Sequence, residues 1–193
     1  MRVFVTLVPA AFALSGCLSP FTDAASGYNA ILSEISSAEQ SAAQLPKGGT
    51  ATYAGHLLLS AYGNSQASGD FLGDAEIDAT FNAGGAALSG QVTDFLDSET
   101  EESVAGTIAL TNGVLDRTAS ITDPNNPGST HSLVLNADGT LAKPNGDTFA
   151  FDSVIYGDVV GDGASLLTGT VSGDVTANGT PANAAGTLVA RQR

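Results

Sequence analysis

The chain has 193 residues, of which 42% are hydrophobic and 13% charged, and its net charge is −14. One domain with small additions is the natural size for this length, and 23 glycines with no Trp suit a tightly turning all-β chain. Six basic residues against twenty acids exclude nucleic-acid binding, which needs clustered Lys and Arg, and argue against adsorption to anionic lipid head groups.

The chain opens on a targeting pattern. Arg2 supplies a minimal positive start, and Val3–Leu14 is an apolar run too short for a bilayer, which takes about 20 residues. The run ends in Leu14-Ser15-Gly16-Cys17. This tetrapeptide, directly after such a run, resembles the lipobox of bacterial lipoproteins, whose signal is cut before the cysteine. The resemblance implies a lipidated Cys17 (palmitate among its acyl chains), with residues 1–16 removed. Leu18 rather than Asp after the cysteine resembles the outer-membrane type, on either its periplasmic face or the cell surface. Cys17 is the single cysteine, so an intramolecular disulfide is impossible although an exported context would permit one. Loss of residues 1–16 removes Arg2 and no acid, taking the net charge to −15.

Leu18–Ser26 is small and polar and reads as a tether. Tyr28, Ile31, Leu32, Ile35, Ala38, Ala42 and Leu45 follow helical spacing, so one amphipathic helix is expected over Tyr28–Leu45. Ser26 is its candidate N-cap, and Pro46, Gly48 and Gly49 stop it. The segments are thus a signal (1–16), a lipidated tether and helix (17–47), and a β domain (48–193).

From Thr50 the pattern is alternation. Tyr53, Gly55, Leu57, Leu59 and Ala61 form one face of a strand, with His56 on the other. Ala75, Ile77, Ala79 and Phe81 alternate with Asp74, Glu76, Asp78 and Thr80. Asn82–Gly85 supplies a turn, and Leu88, Gly90 and Val92 resume the pattern, giving a hairpin over Gly73–Phe95. Leu96–Glu102 is an acidic loop, and Ser103–Asn112 is a strand ended by the hairpin signal Asn112-Gly113. Val114–Ile121 is a weaker strand, and the Pro- and Asn-rich Asp123–Thr130 reads as loop. Short strands are expected at Ser132–Asn136, Thr140–Ala142 and Thr148–Tyr156, then Leu166–Ala177 and Gly186–Ala190. Tight turns between eight to ten strands predict a small antiparallel up-and-down β-barrel of about eight strands, its interior filled by side chains.

Thr52-Tyr53-Ala54-Gly55, Ala75–Phe81 with Leu88-Ser89-Gly90, Gly169-Thr-Val-Ser-Gly173 and Gly186-Thr-Leu-Val-Ala190 resemble the barrel domain of transferrin-binding protein B-like surface lipoproteins. The resemblance covers roughly residues 49–193 and implies a soluble, lipid-anchored binding module for a protein or small solute, related to iron or haem acquisition. It has limits. The family's closing hairpin carries an aromatic-Gly stretch and an acid, and Val175–Gly186 has neither. The transferrin binders are two-lobed, and this chain has room for one barrel, so transferrin binding and functional residues do not carry over.

Candidate chemistry is sparse. His56 and His131 are the two histidines and read as surface residues, too few for a zinc or haem site. The loop with Asp158, Asp162, Gly157, Gly161 and Gly163 lacks the Asp-x-Asp-x-Asp-Gly spacing of calcium loops. Asp74, Glu76 and Asp78 share one strand face and read as a wet surface. With no catalytic constellation, an enzyme is not expected. No cofactor or metal is expected either, and ligand-binding residues are left open. Two other readings stand beside the binding module: a structural envelope lipoprotein with no ligand, and an integral outer-membrane barrel. A Gly- and Ala-rich apolar set and the lack of Trp for aromatic girdles weigh against the last.

Overall fold

A computed structural model describes residues 19–63 and 67–193. The signal segment and Cys17 lie outside these described residues. A helix, α1 (Pro20–Ser37), precedes ten strands. These are β1 (Gly49–Tyr62), β2 (Gly69–Phe81), β3 (Gly85–Asp97), β4 (Ser103–Asp116), β5 (Ile121–Asp123), β6 (Asn126–His131), β7 (Leu133–Ala142), β8 (Thr148–Val160), β9 (Leu166–Ala177) and β10 (Thr180–Gln192). Eight of them close into an antiparallel barrel in the order β1-β10-β9-β8-β7-β4-β3-β2, while β5 and β6 pair as a separate hairpin. The expected all-β, eight-stranded up-and-down barrel is what forms, and closure leaves it no free sheet edge.

Alternation assigns the faces correctly. Ile77, Ile108, Leu167 and Leu188 are fully buried, Val171 and Phe81 nearly so, and Asp74, Asp78, Thr170 and Asp174 are exposed. Two glycines show why small residues sit in the strands. A Cβ at Gly169 would come within 2.5 Å of the Ile155 side chain, inside the barrel. One at Gly90 would come within 2.1 Å of the Glu76 carbonyl of the neighbouring strand, where tight coiling brings the backbones together.

Several local expectations are corrected. Asn112-Gly113 does not end a hairpin: β4 runs through it, and pairing with β7 shifts register between Thr111 and Val114. Asn112 takes φ 53°, so the dipeptide supplies the positive φ of a β-bulge. The first residues of the weak strand expected at Val114–Ile121 therefore belong to β4. The stretch Asp123–Thr130, expected as loop, contributes to the β5–β6 hairpin, with Ile121 opposite His131. The two short strands around Asp138-Gly139 are one strand, β7, because both its neighbours pair with it continuously there. At the last turn Asn178 and Gly179 both take positive φ, 50° and 78°, as a two-residue hairpin requires.

The helix is also displaced. It starts at Pro20, with the Ser19 hydroxyl accepting from the Thr22 amide at 3.2 Å, and it stops at Ser37 rather than Leu45. Ser19, not Ser26, is the cap, and Pro20 occupies the first turn, where its missing N–H costs nothing. Ala38 turns extended, Gln40 bridges to Val160, and the Ser41 amide donates to the Val159 carbonyl at 3.0 Å. The last residues of β8, beyond its pairing with β7, thus capture the chain and end the helix. The apolar stripe predicted from spacing is real: Ile31 packs with Val160, Leu166 and Val189, flanked by Tyr28, Ile35 and Ala38. This stripe helps bind α1 to the outside of the barrel, where the helix lies against β1, β2, β9 and β10. Glu34 on its rim pairs with Arg191 at 2.5 Å.

Both mouths are plugged. At the end where β1 begins, Leu45 is 2% exposed and belongs to the barrel core. The Arg117 guanidinium donates to the Ala43, Leu45, Pro46 and Ala83 carbonyls, stitching this plug to the β2–β3 turn. The buried Tyr53 hydroxyl donates to the Ala164 carbonyl at 2.8 Å, and burial pushes its pKa up to about 12. At the opposite end, Lys143 meets Asp97 at 2.6 Å, with its ammonium 5.4 Å from the Phe71 ring centroid and 5.6 Å from that of Phe149.

Candidate functional site

A barrel of this size could hold a ligand only if its own side chains left room. Here Tyr53, Phe71, Phe95, Phe149, Leu57, Ile77, Ile108 and Leu135 are among the large side chains fully buried inside it. Phe71 stacks edge-on against Phe149 at 5.0 Å and Phe151 at 6.2 Å, so the aromatic residues pack on one another. These side chains occupy the interior of the barrel.

An outer concavity lies where the first turns of α1 cross the barrel. It encloses about 620 Å³ and is lined by Pro20, Asp23, Ala24, His56, Asp74, Asp94, Leu96 and Ser103. His56 faces outward on β1, as expected, but it is not a surface histidine. Its side chain is 15% exposed, with Nδ1 3.0 Å from an Asp74 carboxylate oxygen. Gly27 of α1 covers it so closely that a Cβ there would come within 2.6 Å of Nε2. A helix lying over the strand hides this residue, and strand alternation carries no sign of that. Next to the groove, Arg193 pairs with Glu76 at 2.9 Å.

A second hollow of about 450 Å³ sits at the C-terminal end of α1, between Glu39, Gln40, Ser41 and Gln44 on one side and Gly161 and Asp162 on the other. Asp162 lines this hollow and stays exposed, while Asp158 lies apart from it in β8. The Asp158 carboxylate accepts from the Ser132 amide at 3.0 Å and hydroxyl at 3.3 Å, and His131 Nδ1 lies 3.4 Å away. These three side chains resemble a hydrolytic triad in composition only. The serine is 1% exposed, and its hydroxyl faces the carboxylate instead of the imidazole, which departs from the serine–histidine pairing of such a triad. Their work is to tie the β5–β6 hairpin to β8. Among the described residues, no group of three or more His, Cys, Asp or Glu side chains is placed to hold a metal ion.

The acidic loop expected at Leu96–Glu102 hides one acid. Asp97 is 1% exposed, and its Oδ1 accepts from the Glu99 and Thr100 amides at 2.8 and 3.1 Å. Burial pushes its pKa up, but the Lys143 ammonium and these amides outweigh that and hold it below the usual carboxylate range. On the half-buried Asp116, hydrogen bonds from Ser120 and Thr118 likewise hold the carboxyl well below that range.

Sequence reading also missed a surface feature that only register reveals. Asp138 on β7 stands opposite Asp152 on β8, which stands opposite Asp174 on β9. The row is flanked by Ala109 and Asn183, so no cation relieves it within the ladder. Like charges directly opposite are destabilising, so Asp152→Asn should stabilise the fold by about 0.2–1 kcal/mol. Urea denaturation at low and high salt checks this; the gain should shrink as salt screens the row.

Of the site residues expected from sequence, Cys17 lies outside the described residues, two positions before the helix cap Ser19. No helix among the described residues is long and apolar enough to cross a membrane. No family model matches this chain, and neither a curated protein nor a solved structure matches it.

Proposed function

We propose that this protein is an outer-membrane lipoprotein, anchored through lipid on Cys17, whose soluble barrel is a rigid binding module that works through its outer surface. The observation that carries the reading is the barrel's polarity. Its apolar set is buried inside, both mouths are plugged, and mid-strand carboxylates such as Asp78, Asp152 and Asp174 stand on the outside. A membrane-spanning barrel needs the reverse, an apolar outer band about 25 Å tall. A filled interior also argues against carrying a small solute in the lumen, which leaves a protein, or a solute held in a surface groove, as the partner. The resemblance to transferrin-binding protein B-like lipoproteins rests on short strand motifs, and it suggests iron or haem acquisition as the setting. The same filled barrel suits a structural envelope lipoprotein with no ligand. No catalytic role is proposed, and no cofactor or nucleic-acid partner.

The anchor is tested directly. Mass spectrometry of protein extracted from the membrane fraction should show residues 1–16 lost and acyl chains on residue 17. Cys17→Ala should leave the protein unprocessed or released. Each buried methylene contributes about 0.8 kcal/mol, so several acyl chains hold firmly and release should be nearly complete. An unmodified Cys17 in membrane-extracted protein would end this reading.

A further inference from the structure

We infer that the anchor leaves the barrel almost no free tether, so that the lipid surface lies beside the β3–β4 turn and the β5–β6 hairpin points away from it. The inference rests on the lipidated Cys17 proposed above. The sequence suggests a polar tether from Leu18 to Ser26, but the helix begins at Pro20 and is capped by Ser19. Three residues from Cys17 to Pro20 span at most about 10 Å.

The helix cannot act as a swinging arm, because it is docked. Ile31 is buried against Val160, Leu166 and Val189, Arg191 holds Glu34, and Gly27 sits on His56. α1 is one continuous element from Pro20 to Ser37, so fixing its second half fixes the direction of its first turn. That turn lies over Leu96 and Ser103, which flank the β3–β4 turn. The C-terminal end of α1 leads instead to the Leu45 plug at the opposite mouth. The β5–β6 hairpin leaves and rejoins the barrel at that mouth too, between the end of β4 and the start of β7. Strands such as β2 have 13 residues. At about 3.3 Å per residue and a tilt of about 40°, the two mouths are about 30 Å apart. A tether of 10 Å cannot exchange them without undocking α1.

The membrane-proximal end is acidic, with Asp23, Asp94, Glu99, Glu101 and Glu102 exposed there. The lipid surface it tolerates is therefore zwitterionic or screened.

The chain has no Trp and one Cys, which makes a clean experiment possible. The mature chain from Cys17 is coupled through its thiol to a maleimide lipid in phosphatidylcholine vesicles brominated near the head group. Single-Trp variants Glu99→Trp and Asn125→Trp then report the two ends. Fluorescence of the Glu99→Trp protein should be quenched severalfold more strongly than that of the Asn125→Trp protein. Equal quenching, or stronger quenching of the second, would overturn the inference. Glu102→Trp, in the same turn, substitutes if Glu99→Trp does not fold by circular dichroism. Chemical coupling keeps this result separate from the cellular lipidation of Cys17, which mass spectrometry decides on its own.

Discussion

Lys143→Met should destabilise the barrel by about 3–5 kcal/mol, because it strands a buried carboxylate. Asp97 is 1% exposed and Lys143 12%, so water cannot replace the lost partner. The double variant Asp97→Asn, Lys143→Met should recover most of the loss, since it removes both charges. The pH dependence gives an independent sign. The Asp97 carboxyl is held low in the folded protein, so its stabilising effect is complete above the unfolded pKa near 4. As pH falls through the lower folded value, that effect fades. In Lys143→Met the shift is reversed, because burial then dominates and raises the pKa. Protonation therefore relieves the variant already above about pH 4, while the unaltered protein loses its own gain below about 4, so the stability gap should narrow steadily as pH falls from 7 to 3. Urea midpoints from pH 3 to pH 7 measure both. A loss under 1 kcal/mol at pH 7, with no narrowing, would mean that the pair is solvated and the mouth open.

The face of each strand was legible in the sequence because it is a local property. Ile77 and Asp78 differ in polarity, and a pleated strand separates them whatever lies elsewhere. What was not legible depends on partners. Asn112-Gly113 offers positive φ, which a hairpin turn and a bulge both use. The choice falls to the bulge because β3 and β7 flank β4 on both sides of it. Asp97 reads as one more acid in an acidic loop, and its burial depends on Lys143, 46 positions away, which no local pattern announces. His56 alternates onto the wet face and is covered by a helix from another part of the chain. The end of that helix was misplaced for the same reason. Ala42 and Leu45 fit helical spacing, yet pairing of Gln40 and Ser41 with β8 draws them off to plug the barrel.

That plug leads to the second large effect. A fragment of residues 19–193 should fold as a soluble β protein without detergent, whereas residues 48–193 alone should not hold a stable fold. Cutting at residue 48 removes Leu45 from the core and takes from Arg117 its acceptors on Ala43, Leu45 and Pro46. It also strips α1 from Val189, Val160 and Leu166, which are buried on the barrel's outer side. Each buried side chain of this kind contributes about 1.5–3 kcal/mol. Four of them amount to at least about 6 kcal/mol, comparable with the whole stability of a typical domain, about 5–15 kcal/mol. Circular dichroism and urea melts of the two fragments, in buffer and in micelles, separate the possible architectures. Equal stability in buffer would mean that the plug and helix are decoration. If both fragments gain β-sheet only in micelles, the carboxylates on the outer face are not what water sees, and a spanning barrel replaces the soluble module. The expected pattern differs from both: the longer fragment melts cooperatively in buffer, and micelles do not rescue the shorter one, because what it lacks is Leu45 and a helix rather than lipid.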